Sequence, residues 1–263
     1  MDNSTKAPSS RGMLIPGKRG KLLANSYLPG GECPYPVVVL CHGIPGIERL
    51  FDFTIALREA GFATVNFHYS GNFGSDGDYS VLNCMEDTLS VMDYVRRNEF
   101  GDFDLSRVFL LGHSMGGLMA ARTAALTPWV KAACIMVPMD FRLAGLEALE
   151  GREDKYKAEI IDSAAPWVRG LSWESFRADA ERDLDAMDLI ACAPALADRP
   201  VLTVAASLDT LLPKEEHIDR LSDAIEACGK GKLQRLCCAD DHAFNRNRAA
   251  VREAVCAFFK AQM

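Results

Sequence analysis

The chain alternates two kinds of hydrophobic pattern. Short runs of consecutive apolar residues, such as 37–41 and 131–137, predict strands buried on both faces, which are typical of parallel sheets. Longer segments, such as 81–97, carry apolar residues at helical spacing and predict helices with one buried face. Because strands and helices alternate, the pattern predicts right-handed crossovers and a mostly parallel, twisted sheet with helices on both faces. Such sheets bind ligands at the carboxyl ends of their strands.

The remaining elements follow from the same patterns together with the positions of glycine and proline. Segments 12–16 and 21–28 predict the two strands of an antiparallel hairpin, joined by the turn 17–20 with glycine at both ends. A helix is predicted at 47–60, and Gly61 ends it. Further strands are predicted at 62–67, 108–111, 200–206 and 233–238, and further helices at 118–126, 214–228 and 246–261.

The interval between the strands that end at Val137 and begin at Pro200 is unusually long. About 60 residues intervene where a strand-to-strand connection normally needs a single helix. Two interpretations are open: a helical cap insertion at 140–190 that lies over the site, or an extra helix pair packed elsewhere on the sheet. With the cap, the chain divides into a flexible amino terminus at 1–11, a core at 12–139 and 191–263, and the cap itself.

A Gly-x-Ser-x-Gly pattern lies between a predicted strand and a predicted helix. It reads Gly112-His113-Ser114-Met115-Gly116. A serine in a sharp strand-to-helix turn needs glycine two positions to either side, because a Cβ there would collide with the crossing backbone. The helix that begins after Ser114 directs backbone N–H groups and the positive end of its dipole at the same point. The pattern predicts a nucleophilic Ser114, with the N–H of Met115 as an oxyanion donor.

A second glycine-containing turn, 42–46, follows the predicted strand at 37–41. Its sequence, His-Gly-Ile-Pro-Gly, allows the backbone to approach a ligand closely. The N–H of Ile44 is therefore a candidate for the second oxyanion donor beside that of Met115. The loop 69–77 is also rich in glycine, but it lacks the Lys-Ser/Thr of a phosphate-binding loop. We expect it to be a tight surface loop near the pocket.

A serine hydroxyl needs a base to activate it, and the base needs an acid to orient it. The chain has five histidines. His242, in a loop directly after the last predicted strand, is the preferred base, with His68 as the alternative. Asp209, between a buried strand and a helix, is the preferred acid, with Asp140 as the alternative. The chain order Ser114, Asp209, His242 is the order expected for a nucleophile in a strand-turn-helix setting.

The other three histidines are expected to have structural roles. His42 belongs to the turn after a strand, and His113 is expected to point away from the site into the packing. His217 lies in the polar stretch Lys-Glu-Glu-His and is expected in a solvated helix turn.

Composition and charge exclude several classes of function. The hydrophobic fraction of 49% and the charged fraction of 25% are those of a soluble globular protein, and no apolar run is long enough to span a bilayer. With a net charge of −7 and basic residues interspersed among acids, the chain offers no basic stripe for nucleic acid. The first ten residues lack the charged start and apolar core of a secretory signal, so a cytoplasmic location is expected.

The cysteines do not predict a metal site or a disulfide framework. There are nine, an odd number, without CxxC spacing, which is typical of reduced thiols. Cys41, Cys134 and Cys237 lie in apolar runs and are expected to be small core residues. The pair Cys237-Cys238 is adjacent, which is unusual for a structural disulfide or a metal site.

Together these residues give the chain a family resemblance. Over nearly its whole length it resembles the α/β-hydrolase family, and within it the serine-aminopeptidase and prolyl-oligopeptidase-like esterases and acyl-peptide hydrolases. Members commonly carry arginine after the tyrosine of the glycine-rich loop, where this chain has Ser70, so the ion pair of that arginine is not expected here. The resemblance is carried by 42–46, 71–77, 112–117, Asp209 and Asp241-His242.

The resemblance and the residues together imply hydrolysis of a small-molecule carboxylic ester through an acyl-enzyme intermediate, with no metal or organic cofactor. Two alternatives stay open: an amide or peptide hydrolase, which would use the same residues, and a hydrolase-fold protein that binds a ligand without turnover. The apolar residues of the predicted cap either line an acyl pocket or form the core of the cap, and the core is preferred. They are Phe141, Leu146, Trp167, Leu171, Trp173 and Phe176.

Overall fold

A twisted sheet runs through the computed structural model, which describes residues 6–47, 50–153 and 155–263. Eight strands form this sheet within the described residues. In chain order they are β1 (Ser9–Gly17), β2 (Gly20–Leu28), β3 (Tyr35–Cys41), β4 (Ala63–Phe67), β5 (Phe103–His113), β6 (Ala132–Met136), β7 (Val201–Ala206) and β8 (Leu233–Cys238).

The order of the strands across the sheet is β1-β2-β4-β3-β5-β6-β7-β8. β1 and β2 form the expected antiparallel hairpin, and β2 is antiparallel to β4. All neighbours from β4 to β8 are parallel. The prediction of a mostly parallel sheet is confirmed, and the carboxyl ends of the parallel strands share one edge.

Helices cover both faces of the sheet, as the alternating pattern predicts. One face packs on apolar residues of the first and last α-helices, and the other packs on the second, third and seventh. The helices are α1 (Phe51–Glu59), α2 (Val81–Arg97), α3 (Met115–Leu126), α4 (Phe141–Leu149), α5 (Trp173–Asp183), α6 (Ala193–Leu196), α7 (Ile218–Ala227) and α8 (Arg248–Lys260).

The long interval between β6 and β7 is helical. Besides α4, α5 and α6 it contains a π-helix at Lys157–Asp162 and short 3-10 helices. Phe141, Trp173 and Phe176 are buried, and their rings pack together with centroids 5.4 to 6.0 Å apart. These aromatic residues therefore form the interval's own core. Trp167 differs from them, because 55% of its surface is exposed.

Several details differ from the sequence-based expectation, among them the following. α1 begins at Phe51 instead of 47, and residues 48 and 49 of the predicted helix lie outside the described residues. Within the predicted flexible terminus, residues 1–5 are likewise outside, while β1 already includes 9–11. The prediction that Cys237 is a core residue is wrong: it is exposed. β8 is the outer strand of the sheet, and Cys237 faces solvent between the half-buried side chains of Leu236 and Cys238.

Candidate active site

Ser114 occupies the turn between β5 and α3 in a backbone conformation that residues with side chains rarely adopt. Its φ is 58° and its ψ is −124°. A Cβ on Gly112 would collide with the carbonyl oxygen of Gly116, and a Cβ on Gly116 would collide with the carbonyl oxygen of Cys41. Both glycines are therefore required for the reason that the sequence indicates: without them the crossing backbones could not hold the serine in this strained turn.

Hydrogen bonds fix the backbone on both sides of Ser114. Its N–H donates to the carbonyl oxygen of Met136 at 3.0 Å. Its own carbonyl oxygen accepts from the N–H groups of Gly117 at 2.8 Å and Met139 at 3.2 Å. Because α3 begins at Met115, the positive end of the helix dipole lies beside the serine. The nucleophile candidate is thus tied to β6 and to the start of the interval that follows it.

The turn after β3 passes directly beside Ser114. A Cβ on Gly43 would lie 3.0 Å from the Cβ of Ser114, closer than such atoms normally come, so a larger residue would push the two segments apart by a few tenths of an ångström. Asn72 holds the next part of the turn, because its side-chain amide donates to the carbonyl oxygen of Pro45. Ile44, the candidate second donor, therefore lies between two anchored neighbours on the serine's side of the sheet.

His242 and Asp209 meet at the carboxyl edge of the sheet, in the loops after β8 and β7. The distance between His242 Nδ1 and Asp209 Oδ2 is 2.6 Å, and the Asp209 side chain is fully buried. The other carboxylate oxygen accepts the N–H groups of Leu211 at 3.0 Å and Leu212 at 2.9 Å. Since an ionised carboxylate only accepts hydrogen bonds, Nδ1 of His242 carries the hydrogen, and Nε2 keeps a lone pair.

His113 connects the nucleophile turn to the loop of the base, a contact that sequence reasoning missed. It is buried as expected, but its Nε2 lies 2.9 Å from the backbone carbonyl oxygen of His242. The two imidazole rings are 5.0 Å apart between centroids. Burial, followed by the nearby His242, lowers the pKa of His113 to about 3, so its ring stays neutral and donates through Nε2. No local signal indicates this contact, because 129 residues separate the partners.

The alternative acid and base lie in other surroundings. The Asp140 carboxylate accepts the N–H groups of Arg142 and Leu189, both at 3.3 Å. It therefore caps α4, and its described contacts do not include His242. His68 directly follows β4, which lies two strands away from β5, and its ring packs between those of His42 and Phe73 with centroids 5.6 and 5.4 Å away.

The expectation that His217 lies in a solvated turn is wrong. Only 1% of its surface is exposed, and its Nδ1 accepts the N–H of Asp140 at 3.2 Å. Its Nε2 lies 3.5 Å from the Tyr156 hydroxyl. The polar neighbours in sequence mislead because they point outwards, whereas His217 packs under the helical interval. Burial lowers the pKa of His217 to about 4.

The glycine-rich loop joins the helical interval to the turn after β3. At its start, the hydroxyl and the N–H of Ser70 both donate to the buried Asp87, at 3.0 and 2.7 Å. Further on, Asn72 forms an antiparallel bridge with Val168, and the N–H of Arg169 donates to the carbonyl oxygen of Gly71 at 2.8 Å. We call the contact of residues 71–72 with 168–169 the clip. Through Asn72, the clip reaches the turn beside Ser114.

Neither a metal site nor a membrane span is found in the part of the chain that the structure describes. Among those residues, no group of three or more His, Cys, Asp or Glu side chains is arranged to hold a metal ion. The helices there are also too short or too polar for one to cross a bilayer.

A parallel sheet flanked by helices, with a strained serine after β5 and a His–Asp pair after β8 and β7, defines the α/β-hydrolase class. The model of the alpha/beta hydrolase family matches residues 38–254, and the chain belongs to that family.

Similar proteins fit this assignment. A solved structure of Est1E from Butyrivibrio proteoclasticus with bound ferulic acid superposes with a TM-score of 0.76 at 22% identity, covering 95% of this chain and 98% of that one. An uncharacterized 31.7 kDa protein of Escherichia coli, from the traX-finO intergenic region, is 36% identical over 119 residues, which are 43% of this chain. Esterase FrsA of Vibrio vulnificus is 28% identical over 131 residues, 47% of this chain. These stretches span 40% and 30% of the two relatives' own lengths.

Proposed function

We propose that the chain is a serine hydrolase that cleaves a carboxylic ester of a small molecule. Ser114 Oγ attacks the ester carbonyl carbon while His242 Nε2 takes the hydroxyl proton. The N–H groups of Ile44 and Met115 bind the oxyanion that forms. Collapse of this intermediate expels the alcohol, which receives the proton from His242, and leaves the acyl group on Ser114. Water then attacks the acyl-enzyme by the same route and releases the acid.

The His242–Asp209 contact is the single observation that carries this proposal. A fully buried carboxylate lies 2.6 Å from Nδ1 and is held by two further N–H donors. This contact fixes the tautomer in which Nε2 is the basic nitrogen, and it stabilises the imidazolium that forms when the serine proton is taken. Asp140, the alternative acid, lacks such a contact among the described residues.

The surroundings of Ser114 support the proposed oxyanion site. Gly43 brings the turn after β3 to within van der Waals distance of the serine, and α3 begins at Met115. Donors from these two segments converge on the oxyanion in the nucleophile-elbow arrangement. The name of one relative, Esterase FrsA, agrees with ester hydrolysis as the reaction class.

We also propose that residues 140–190 act as a cap bordering the site. The clip supports this, because it connects Val168 and Arg169 of this interval to the loop that anchors Pro45. Asp140 and Tyr156 add a second connection on the other side, through their contacts with His217. The interval therefore contacts the loops on both flanks of the proposed catalytic residues.

The test is active-site labelling with a fluorophosphonate probe together with hydrolysis of activated acetate esters. Ser114→Ala is expected to abolish labelling and turnover. Asp209→Asn is expected to lower kcat by about 10⁴-fold, since the histidine would lose its correct tautomer. The matched control is Asp140→Asn, which also changes a buried carboxylate but does not touch His242, so its loss of kcat should be far smaller. Equal losses in the two asparagine variants would overturn the assignment of the acid.

The same experiment separates the other functions of this fold. Matched acyl esters and aminoacyl amides distinguish an esterase from an amide hydrolase, since the two reactions differ only in the leaving group that His242 must protonate. A folded wild-type protein that neither takes the probe nor hydrolyses either series would be a ligand-binding protein without turnover, and the proposed function would then be wrong.

A further inference from the structure

His42 is the buried histidine at the start of the turn after β3, and its ring folds back onto that turn. Only 3% of its surface is exposed. Its Nδ1 lies 2.7 Å from the carbonyl oxygen of Gly43, the next residue. Because a carbonyl oxygen only accepts hydrogen bonds, Nδ1 carries the hydrogen and donates it. His42 therefore holds the carbonyl group of the peptide unit that joins Gly43 to Ile44.

This peptide unit also carries the N–H of Ile44, the proposed second oxyanion donor. The bond between Gly43 and Ile44 is trans. In a planar trans peptide, the C=O and N–H groups point in opposite directions. Because the carbonyl oxygen of Gly43 faces the ring of His42, the N–H of Ile44 faces away from that ring. The hydrogen bond from His42 thus sets the direction of the N–H without touching it.

The ring of His42 and the side chain of Ser114 lie towards opposite sides of β3. The ring packs with its centroid 4.6 Å from that of Tyr69 and 5.6 Å from that of His68, and both of these residues follow β4. Ser114 follows β5, and β3 lies between β4 and β5 in the sheet. An N–H group that faces away from the ring of His42 therefore faces the side of the serine.

Neighbouring residues hold the ring of His42 in this position. A Cβ on Gly46 would lie 2.3 Å from Cε1 and 2.5 Å from Nδ1 of His42, so a larger residue there would displace the ring. The hydroxyl of Tyr69 donates to the carbonyl oxygen of His42 at 3.3 Å, which fixes the backbone from which the ring projects. Both contacts restrict the ring to the place from which it reaches the carbonyl oxygen of Gly43.

We propose that His42 is a positioning residue for ester hydrolysis: its Nδ1–H fixes the 43–44 peptide plane so that the N–H of Ile44 is directed at the oxyanion. This inference rests on the proposed function and deepens it, since it names the side chain that orients one of the two proposed donors. His42 acts through the peptide and not on the substrate. Donors stabilise a transition state best when they are oriented before the reaction begins, and a peptide without this hydrogen bond is free to turn.

Three substitutions separate the donor from the bulk of the ring. His42→Leu keeps apolar bulk without a donor. His42→Asn keeps a donor, because the asparagine side-chain nitrogen can take the place of Nδ1, whereas His42→Gln puts its donor near the place of Nε2. Loss of one oxyanion donor costs about 10²- to 10³-fold in kcat, and a misdirected donor loses part of this.

The assay is hydrolysis of an activated acetate ester. We expect kcat to fall by about 10- to 100-fold in the leucine and glutamine variants of His42, with KM nearly unchanged, because the oxyanion contact is made only in the transition state. The asparagine variant should recover most of the lost kcat. A rise in KM at wild-type kcat would contradict this role of His42.

Thermal unfolding of the same samples distinguishes positioning from a purely structural role. If kcat follows Tm across the three variants, and not the place of the donor, the inference is wrong. Wild-type kcat in a folded leucine variant would also refute it. Where the leucine variant does not fold, the asparagine and glutamine variants still decide, since equal kcat values in these two would rule out a donor that must sit at Nδ1.

A resonance of the peptide unit itself keeps this inference separate from the proposed function. The chain has two Gly-Ile pairs, 43–44 and 46–47, and an Ile47→Val background leaves only the first. With ¹³C-carbonyl glycine and ¹⁵N isoleucine, this pair then gives a single carbonyl resonance. It should lie upfield in the leucine and glutamine variants of His42 compared with the asparagine variant, which also lacks the ring but keeps the donor.

The two proposals can therefore fail independently. If the wild type hydrolyses no ester but the carbonyl resonance shifts in this way, the proposed function fails and the orientation of the 43–44 peptide by His42 stands. If the resonance has the same position in all three variants, His42 does not hold the carbonyl group of Gly43, and the inference is overturned even in an active esterase.

Discussion

Replacement of His113 by leucine tests whether the nucleophile turn positions the base. In the wild type, Nε2 of His113 donates to the backbone carbonyl oxygen of His242 at 2.9 Å in a part-buried hydrogen bond, and the pKa of about 3 keeps the His113 ring neutral. Leucine has similar bulk but no hydrogen to donate. The carbonyl oxygen of His242 would then lose the partner that the structure gives it.

The expected magnitude follows from this loss. A buried carbonyl group without a partner costs about 1–3 kcal/mol, and because this hydrogen bond is only part-buried we expect the lower end, about 1 kcal/mol. In a chain of this length, that lowers Tm by about 2–4 °C. If the loop instead shifts to reach another donor, His242 moves away from Ser114, and a misplacement of about 1 Å can cost about 100-fold in rate. We therefore expect kcat/KM of His113→Leu to fall by about 10- to 100-fold.

The assay is hydrolysis of an activated acetate ester, with thermal unfolding of the same samples. His113→Gln is the matched variant, since glutamine Nε2 can donate from a similar position, and it should recover most of the lost kcat/KM. A purely structural role for His113 would make the rate follow Tm in both variants. Wild-type kcat/KM in a folded leucine variant, or equal losses in the two variants at equal Tm, would refute the positioning role.

Three further perturbations have defined outcomes. Asn72→Asp replaces the side-chain N–H group that donates to the carbonyl oxygen of Pro45 with an acceptor. The kcat for ester hydrolysis should therefore fall by about tenfold or more, with little change in KM. A rise in KM alone would contradict a role of Asn72 in the oxyanion turn. Gly116→Ala places a Cβ against the backbone of Cys41 and should lower the free energy of unfolding, measured in urea, by about 3 kcal/mol or more. An unfolding midpoint equal to that of the wild type would disprove this steric explanation. Because burial lowers the pKa of His217 from 6.5 to about 4, the unfolded chain binds its proton first, and stability falls as pH drops through this window. Between pH 7 and pH 4.5, the free energy of unfolding of His217→Gln should therefore fall by about 2 kcal/mol less than that of the wild type. The same pH dependence in both proteins would contradict a buried, neutral His217 ring.

The parts of the fold that the sequence predicts well depend on local patterns. α2 covers 81–97 as predicted because its apolar face is regular and Ser80 caps its first turn. The sequence predicts the strand at 233–238 but not the exposure of Cys237 within it, since local sequence does not show whether a strand is central or at an edge. β5 begins at Phe103, five residues before the apolar run, because its polar residues 104–107 lie at a register irregularity between the pairs Tyr35–Phe103 and Val37–Val108, which no hydrophobic pattern shows.

The candidate site divides in the same way. The strained turn at Ser114 and the glycines around it can be inferred from one short motif, and the His242–Asp209 pair follows from two residues placed after neighbouring strands. The roles of His113 and His217 could not be inferred, because each depends on a partner far away in the chain. Sequence spacing predicts which loops share an edge of the sheet, but not which side chains in those loops meet.

The position of β8 determines how the protein should lose activity on heating. The loop with His242 follows this outer strand, whose one partner among the described residues is β7, whereas Ser114 follows β5 near the middle of the sheet. Peripheral strands open at a lower free energy than central ones. Residues 233–245 should therefore exchange their amide hydrogens with deuterium sooner than 108–120. Inactivation should begin as a local, reversible fraying of this outer strand, while most of the sheet is still intact.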